Sequence, residues 1–225
     1  MDSQMMEALD EYKTISQPVR GIYKEKGSKF LALAAPVSNV EEAIQIVEQM
    51  RRENPKARHH CFAYRIGPDR SIFRFNDDGE PSGTAGKPIL GQIDSFELSN
   101  VVVVVSRYFG GKLLGASGLA SAYKLSAQDA LAQSSVRIVE RRIYYQVTFS
   151  YDIMGALMEA LNRFRAPMED HNFETLTPEL VFSLPLSHPP VLIDQIIAGA
   201  LGIYPEEVDG KRSFDRITIR VSGSD

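Results

Sequence analysis

"VVVVVSRYFGGKLLGASGLASAY" occupies residues 101–123. Its five valines are β-branched and carry no polar atom, so they predict a strand buried on both faces over residues 101–106. The run is far shorter than the ~18 apolar residues of a membrane span. Gly110-Gly111 permits a bend. Ala116, Ser117 and Gly118 then open a helix predicted to reach about Gln133. A covered central strand followed by a helix needs further strands on either side, and the flanking sequence supplies them.

Towards the N-terminus, residues 19–23 and 29–37 predict a hairpin joined by "KEKGSK", and the opening residues predict no regular element. Ser38, with Glu41 three positions later, has the form of a capping box. Val40, Ala43, Ile44, Val47 and Met50 follow at helical spacing, and Asn54-Pro55 ends that helix. Residues 60–66 and 71–75 predict a strand pair around "GPDR". Near residue 136 the pattern restarts. Ile143, Tyr145, Val147 and Phe149 alternate with polar or amphipathic neighbours. Asp152 is placed to cap a helix reaching about Phe164, and strands are predicted over 168–176 and 179–186. Ser187-His188-Pro189-Pro190 opens a second helix, and a last strand covers 214–221. The order β-α-β-β-α-β is that of a ferredoxin-like domain. The reading is α+β, with domains over residues 1–135 and 136–225.

Apolar residues make up 44% of the 225 and charged residues 24%, the composition of a globular chain. The lone Cys61 excludes an internal disulfide and, with no secretory pattern at the start, points to the cytoplasm. The net charge of −4 argues against bulk nucleic-acid binding. Residues 1–135 carry 16 Lys and Arg against 16 Asp and Glu, while residues 136–225 carry 9 against 13. Seven arginines and lysines fall between Arg51 and Arg74 against Glu53 and Asp69, which predicts a positive face near Arg51–Arg74 and Arg107.

"NDDGEPSGTAGKPIL", residues 76–90, carries three carboxylates, three glycines and one lysine. It is not a Walker loop, because Gly86-Lys87 is followed by Pro88. It is not an EF-hand, because the twelfth position from Asp77 is Pro88 rather than Glu. Four histidines and one cysteine show no zinc spacing beyond the adjacent His59-His60, a pair that more often has a structural role. Ser82, Thr84 and Cys61 are candidate nucleophiles, with His59 or His60 as base, but nothing in the linear order unites them. A loop without an apolar anchor must bond its own backbone if it is ordered. Asp77 or Asp78 is expected to do so, leaving Thr84 and Lys87 freer. Arg107 and Lys112, close to a helix start at Ser117, have the composition of an anion site. Tyr108 and Phe109 beside them suit either base stacking or the core.

"KGSKFLALAAPV", "HHCFAYRIG", "NDDGEPSGTAGKPIL" and "VVVVVSRYFGGKLLGASGLASAY" together resemble the YigZ/IMPACT family over about residues 20–125. The C-terminal part looks like the smaller ferredoxin-like domain of its bacterial YigZ-type members. The resemblance implies a first domain like the one shared by a small-subunit ribosomal protein and domain IV of elongation factor G. It also implies a role in translation, since eukaryotic relatives are translation regulators that bind a protein partner of a stress-responsive kinase. Asp77, Asp78, Glu80, Pro81, Ser82, Thr84, Lys87, Arg107 and Tyr108 match the family pattern. Asn76, Ser106, Lys112-Leu113-Leu114, Ser117 and Ser121 depart from it, the last replacing a customary arginine.

The expectation is therefore a non-enzymatic regulator acting in translation through RNA, the ribosome or a protein partner. Its expected binding set is Asp77, Asp78, Glu80, Pro81, Ser82, Thr84, Lys87, Arg107, Tyr108, Lys112, Ser117 and His59, with no cofactor, metal or membrane. Two alternatives stand beside it. One is an enzyme holding a phosphorylated small molecule in a pocket of Glu80, Ser82, Thr84, Lys87 and Arg107. The other is a protein-interaction module with an exposed apolar patch and no nucleic-acid binding.

Overall fold

The computed structural model describes residues 10–224. Of the described residues, 11–139 form one compact unit, and Asp10 with residues 140–224 forms the other. The first runs β1 (Glu11–Ile15), β2 (Val19–Glu25), β3 (Ser28–Pro36), α1 (Val40–Glu53), β4 (His59–Ile66), β5 (Ile72–Asn76), α2 (Gly86–Ser95), β6 (Val101–Tyr108), α3 (Gly115–Ala132) and β7 (Val136–Glu140). Five of its strands form an antiparallel sheet in the order β2-β3-β6-β4-β5. β1 and β7 pair separately.

β6 is the centre of this sheet, and its valines explain why. Val101, Val103 and Val105 point into a core layer with Ile89 and Ile93 of α2 and Leu119, Tyr123 and Ala127 of α3. Val102 and Val104 point the other way, onto Ala43, Val47 and Met50 of α1. All five are fully buried, each contributing about 1.5 kcal/mol or more. The period of two thus feeds both cores at once. It also sends Arg107 to the side of α2 and α3, and Ser106 and Tyr108 to the side of α1.

Three local expectations shift. The N-cap of α1 is Asn39, not Ser38. Its Oδ1 accepts the Glu42 N–H at 2.8 Å, and the Glu42 carboxylate accepts the Ser38 N–H at 2.7 Å, so the box sits one residue later. β1 and β7 are strands where no element was expected; β1 is tied through Ser99 N–H to Lys13 C=O and through an isolated bridge from Lys13 to Leu98. The third is α2, which starts inside the glycine-rich loop. Gly86, Pro88 and Gly91 mask it in the sequence. Its free N-terminal N–H groups are satisfied from outside the helix by Asp77, and Pro88 in the first turn needs no acceptor.

The second unit runs β8 (Arg142–Phe149), a 3-10 turn (Tyr151–Ile153), α4 (Met154–Arg163), β9 (Met168–Asn172), β10 (Glu179–Pro185), α5 (Val191–Leu201), α6 (Pro205–Val208), β11 (Ser213–Phe214) and β12 (Ile217–Ser224). The sheet order is β11-β12-β8-β10-β9, antiparallel throughout. Tyr145, Val147 and Phe149 meet Leu157 and Leu161 of α4 and Ile193, Ile196 and Ile197 of α5 in one core. Asp152 does not cap α4. It lies in the 3-10 turn and accepts from Arg216 at 3.1 Å. β9 ends at Asn172, earlier than expected, and β12 continues to Ser224. The protein is α+β, with a helix-covered N-terminal sheet and a C-terminal domain of the β-α-β-β-α-β order.

Candidate functional site

The loop from Asn76 to Ala85 is ordered from within. One Asp77 carboxylate accepts three backbone N–H groups, from Gly83 at 2.8 Å, Ala85 at 3.0 Å and Gly86 at 2.8 Å. Asp78 turns the other way. It accepts the His60 N–H at 2.6 Å and the Arg51 guanidinium at 2.9 Å, and its own N–H donates to Asn76 Oδ1 at 2.7 Å. Asp78 sits at φ +43° and Gly79 at φ +86°, the left-handed turn that lets the chain reverse. Gly86 is required for a different reason: a Cβ there would lie 2.6 Å from Asn76 N. Thr84 is buried, and its hydroxyl donates to Pro81 C=O at 2.6 Å, so it belongs to the brace rather than to a free surface. Ser82 and Lys87 are exposed.

This folding carries Glu80 inward. Its carboxylate is buried and accepts from Arg107 Nη1 at 2.6 Å and from the Tyr123 hydroxyl at 2.8 Å. Arg107 is only 6% exposed. Its guanidinium lies 5.5 Å from the Phe30 ring centre and 5.6 Å from that of Phe109. An ion pair this deep is held in place because either charge alone would be costly to bury. Cys61 donates to Asp77 C=O at 3.0 Å, and burial pushes its thiol pKa well up, so it is a structural group and not a nucleophile. Burial raises the Tyr123 phenol in the same way.

Above this pair opens a cleft of about 370 Å³ lined by Arg58, His59, Glu80, Pro81, Arg107, Phe109 and the stretch from Leu113 to Ala116, with Leu119 below. His59 Nδ1 lies 2.8 Å from Asp78 C=O, which fixes Nδ1–H as the donor and leaves Nε2 4.0 Å from Glu80 Oε1. Leu113 is 86% exposed and Phe109 43%. Arg58 lies 6.0 Å from the Phe109 ring centre. The mouth is therefore apolar with a cationic edge.

Of the expected binding residues, the cleft unites His59, Glu80, Pro81 and Arg107. It does not take in Ser82, Thr84 or Lys87, so the pocket expected of a phosphate-binding enzyme is not formed by those five groups together. Tyr108 faces the opposite side of the sheet and donates to Asn54 Oδ1 at 3.0 Å, away from Arg107. Lys112 and Ser117 are exposed and lie outside the lining. Arg58, Leu113 and Leu114 line the cleft but lie outside the expected binding set, Arg58 figuring in the sequence only as part of the basic run and Leu113-Leu114 only as a departure from the family pattern. The expected positive face is neutralised in part: Arg51 pairs with Asp78 and Glu48, Arg65 and Arg70 both pair with Asp94, and Arg107 is buried with Glu80, while Arg52, Lys56, Arg58 and Arg74 stay exposed.

The profile described as "Impact N-terminal domain" matches residues 26–131. The chain is 33% identical over 151 residues to a Haemophilus influenzae protein named "IMPACT family member", covering 66% of this chain and 73% of that one. The chain belongs to the IMPACT family. The IMPACT family member YigZ of Escherichia coli is 46% identical over 127 residues, 56% of this chain and 62% of the relative, so that match takes in less than two thirds of the relative. A solved structure, described as the crystal structure of an hypothetical protein, superimposes with a TM-score of 0.66 at 28% identity, covering 94% of this chain and 96% of that chain. The cleft and its floor all lie within the matched Impact N-terminal domain.

In this IMPACT domain the Arg107–Glu80 pair and the Asp77 brace give the cleft a stiff floor. The exposed Phe109 ring and Leu113 at its mouth offer apolar contact, and among the described residues no cluster of His, Cys, Asp or Glu is arranged to hold a metal. No helix among them is long and apolar enough to cross a membrane.

Proposed function

We propose that this protein is a non-enzymatic regulator acting in translation, in the cytoplasm, and that it works by docking a protein partner in the Arg58–Phe109–Leu113 cleft. Membership of the IMPACT family supports the setting. The observation that carries the mode of action is the 86% exposure of Leu113 beside a half-exposed Phe109, over an arginine whose charge is already matched by Glu80 within the chain. A surface made for RNA phosphates needs accessible, unpaired cations. Here Arg107 is spent on Glu80, and three of the neighbouring arginines on carboxylates of the same domain. An apolar anchor with a cationic edge suits instead a protein segment carrying a large apolar side chain and a nearby carboxylate.

A photo-crosslinking residue at position 113 tests this, with position 22 on β2 as control. The expected product is a crosslink from position 113 alone to a protein of the translation apparatus. Crosslinks to ribosomal RNA would favour the nucleic-acid reading, and a crosslink only to metabolic enzymes would remove translation from the account.

A further inference from the structure

The two edges of the N-terminal sheet are treated differently. At β2 the edge is closed by α3: the Ile22 N–H donates to Asp129 Oδ2 at 2.8 Å, and Gly21 lies so close to Ala130 that a Cβ would come within 2.4 Å of its nitrogen. At β5 nothing covers the edge among the described residues. The strand reads Ile-Phe-Arg-Phe-Asn and pairs only with β4. Ile72 is 49% exposed, Phe73 52% and Phe75 40%. An uncovered apolar edge is a ready template for another strand.

The register sorts the side chains. Phe73 and Phe75 stand opposite Arg65 and Ala63 on one face, while Ile72 and Arg74 stand opposite Ile66 and Tyr64 on the other. Arg65 is stacked 4.5 Å from the Phe73 ring centre and clamped by Asp94 at 2.9 and 3.0 Å, so Phe73 is held in place rather than free to fold inward. The exposed charges on β5 and at its C-terminal end are positive, while the exposed Asp69, in the turn before β5, accepts the Ser71 N–H at 3.1 Å. Arg74 is exposed and makes no ion pair within the described residues. Lys87 is exposed and follows Gly86, which packs on the backbone of Asn76 at the end of β5. The carboxylates next in sequence, Asp77 and Asp78, are turned inward onto backbone N–H groups and Arg51.

We propose that β5 is a second docking surface, which accepts an extended segment of a partner protein carrying a carboxylate between two apolar residues. Added antiparallel to β5, such a segment sets its carboxylate against Arg74 and its apolar residues against Phe73 and Phe75, and its backbone pairs the open edge. A second copy of this chain is the wrong occupant. Pairing β5 with itself about its midpoint sets Arg74 against Arg74, and like charges directly opposite are destabilising.

The probe is the synthetic peptide acetyl-Thr-Val-Thr-Val-Glu-Val-Thr-amide and its Glu-to-Lys counterpart, titrated into the full chain and followed by backbone amide shifts and hydrogen exchange. The expected result is slowed exchange at residues 72–75 and not at β2. The Glu peptide should bind about 2- to 5-fold tighter than the Lys peptide, and Arg74→Glu should reverse that preference. Arg74 is exposed, so this variant keeps the fold. Three results overturn the proposal: equal binding of both peptides, shifts confined to the Leu113 cleft, or a concentration-dependent dimer that disappears in Phe73→Lys/Phe75→Lys while neither peptide binds.

Discussion

At the scale of single residues, Asp77 and Arg107 make opposite points. That Asp77 or Asp78 must brace the loop is legible in the sequence, because a polar, glycine-rich segment has few other ways to satisfy its own backbone. That Arg107 is buried is not, because its partner Glu80 is 27 positions away and the pairing depends on a loop that folds back over β6. Arg107→Ala is consequently not a clean test of ligand binding. It should cost about 3–5 kcal/mol in urea unfolding by stranding Glu80, whereas Lys112→Ala should stay within about 0.5 kcal/mol of wild type. Asp77→Ala leaves three N–H groups without their acceptor and should cost about 3 kcal/mol by the same measurement, with Ser82→Ala as a near-neutral control. His60 supplies a pH dependence. Burial, then the Arg51 charge, lowers its pKa in the folded state. As pH falls through about 6.5 the unfolded chain takes up this proton first, so this contribution weakens stability on acidification and is complete above that pH. The drop in urea midpoint from pH 7 to pH 5.5 should be smaller in His60→Gln than in wild type; an identical drop would assign it to other groups.

At the scale of elements, β6 announces itself because its valines serve two cores, and α1 because its apolar residues keep helical spacing. α2 stays hidden because its capping group, Asp77, lies outside the helix and its first turns carry Gly and Pro. The Gly110-Gly111 pair looks uniform in sequence and divides in structure. A Cβ at Gly110 would fall 1.9 Å from Gly27 C, a collision with backbone. At Gly111 the space is open but φ is +83°. Gly110→Ala should therefore cost at least about 3 kcal/mol, and Gly111→Ala only about 1–2. Equal costs for the two variants would refute the close packing of β3 against the end of β6.

At the scale of the whole molecule, each domain buries its own core. The β-α-β-β-α-β order of the second was legible from the restart of alternation after residue 136, since a period-two run and two helices leave few ways to cover one sheet. Phe182 is fully buried in that second core. Phe182→Ala should destabilise the C-terminal domain by about 3–5 kcal/mol while amide exchange in β6 stays at the wild-type rate; faster exchange in both domains would mean one cooperative unit.

What the sequence hid at this scale is the sign of the working surface. A run of arginines reads as a phosphate-binding face, and only the folded chain shows that Arg51, Arg65, Arg70 and Arg107 pair with its own carboxylates. Whether the Leu113 cleft engages a protein is decided by co-sedimentation with ribosomal fractions across a salt series for wild type, Leu113→Asp and Lys112→Ala. The expected result is association that changes little between about 50 and 200 mM salt, is lost in Leu113→Asp and survives in Lys112→Ala. Binding that falls by about 10³-fold or more over that range, unaffected by Leu113→Asp and weakened by Lys112→Ala, would contradict it.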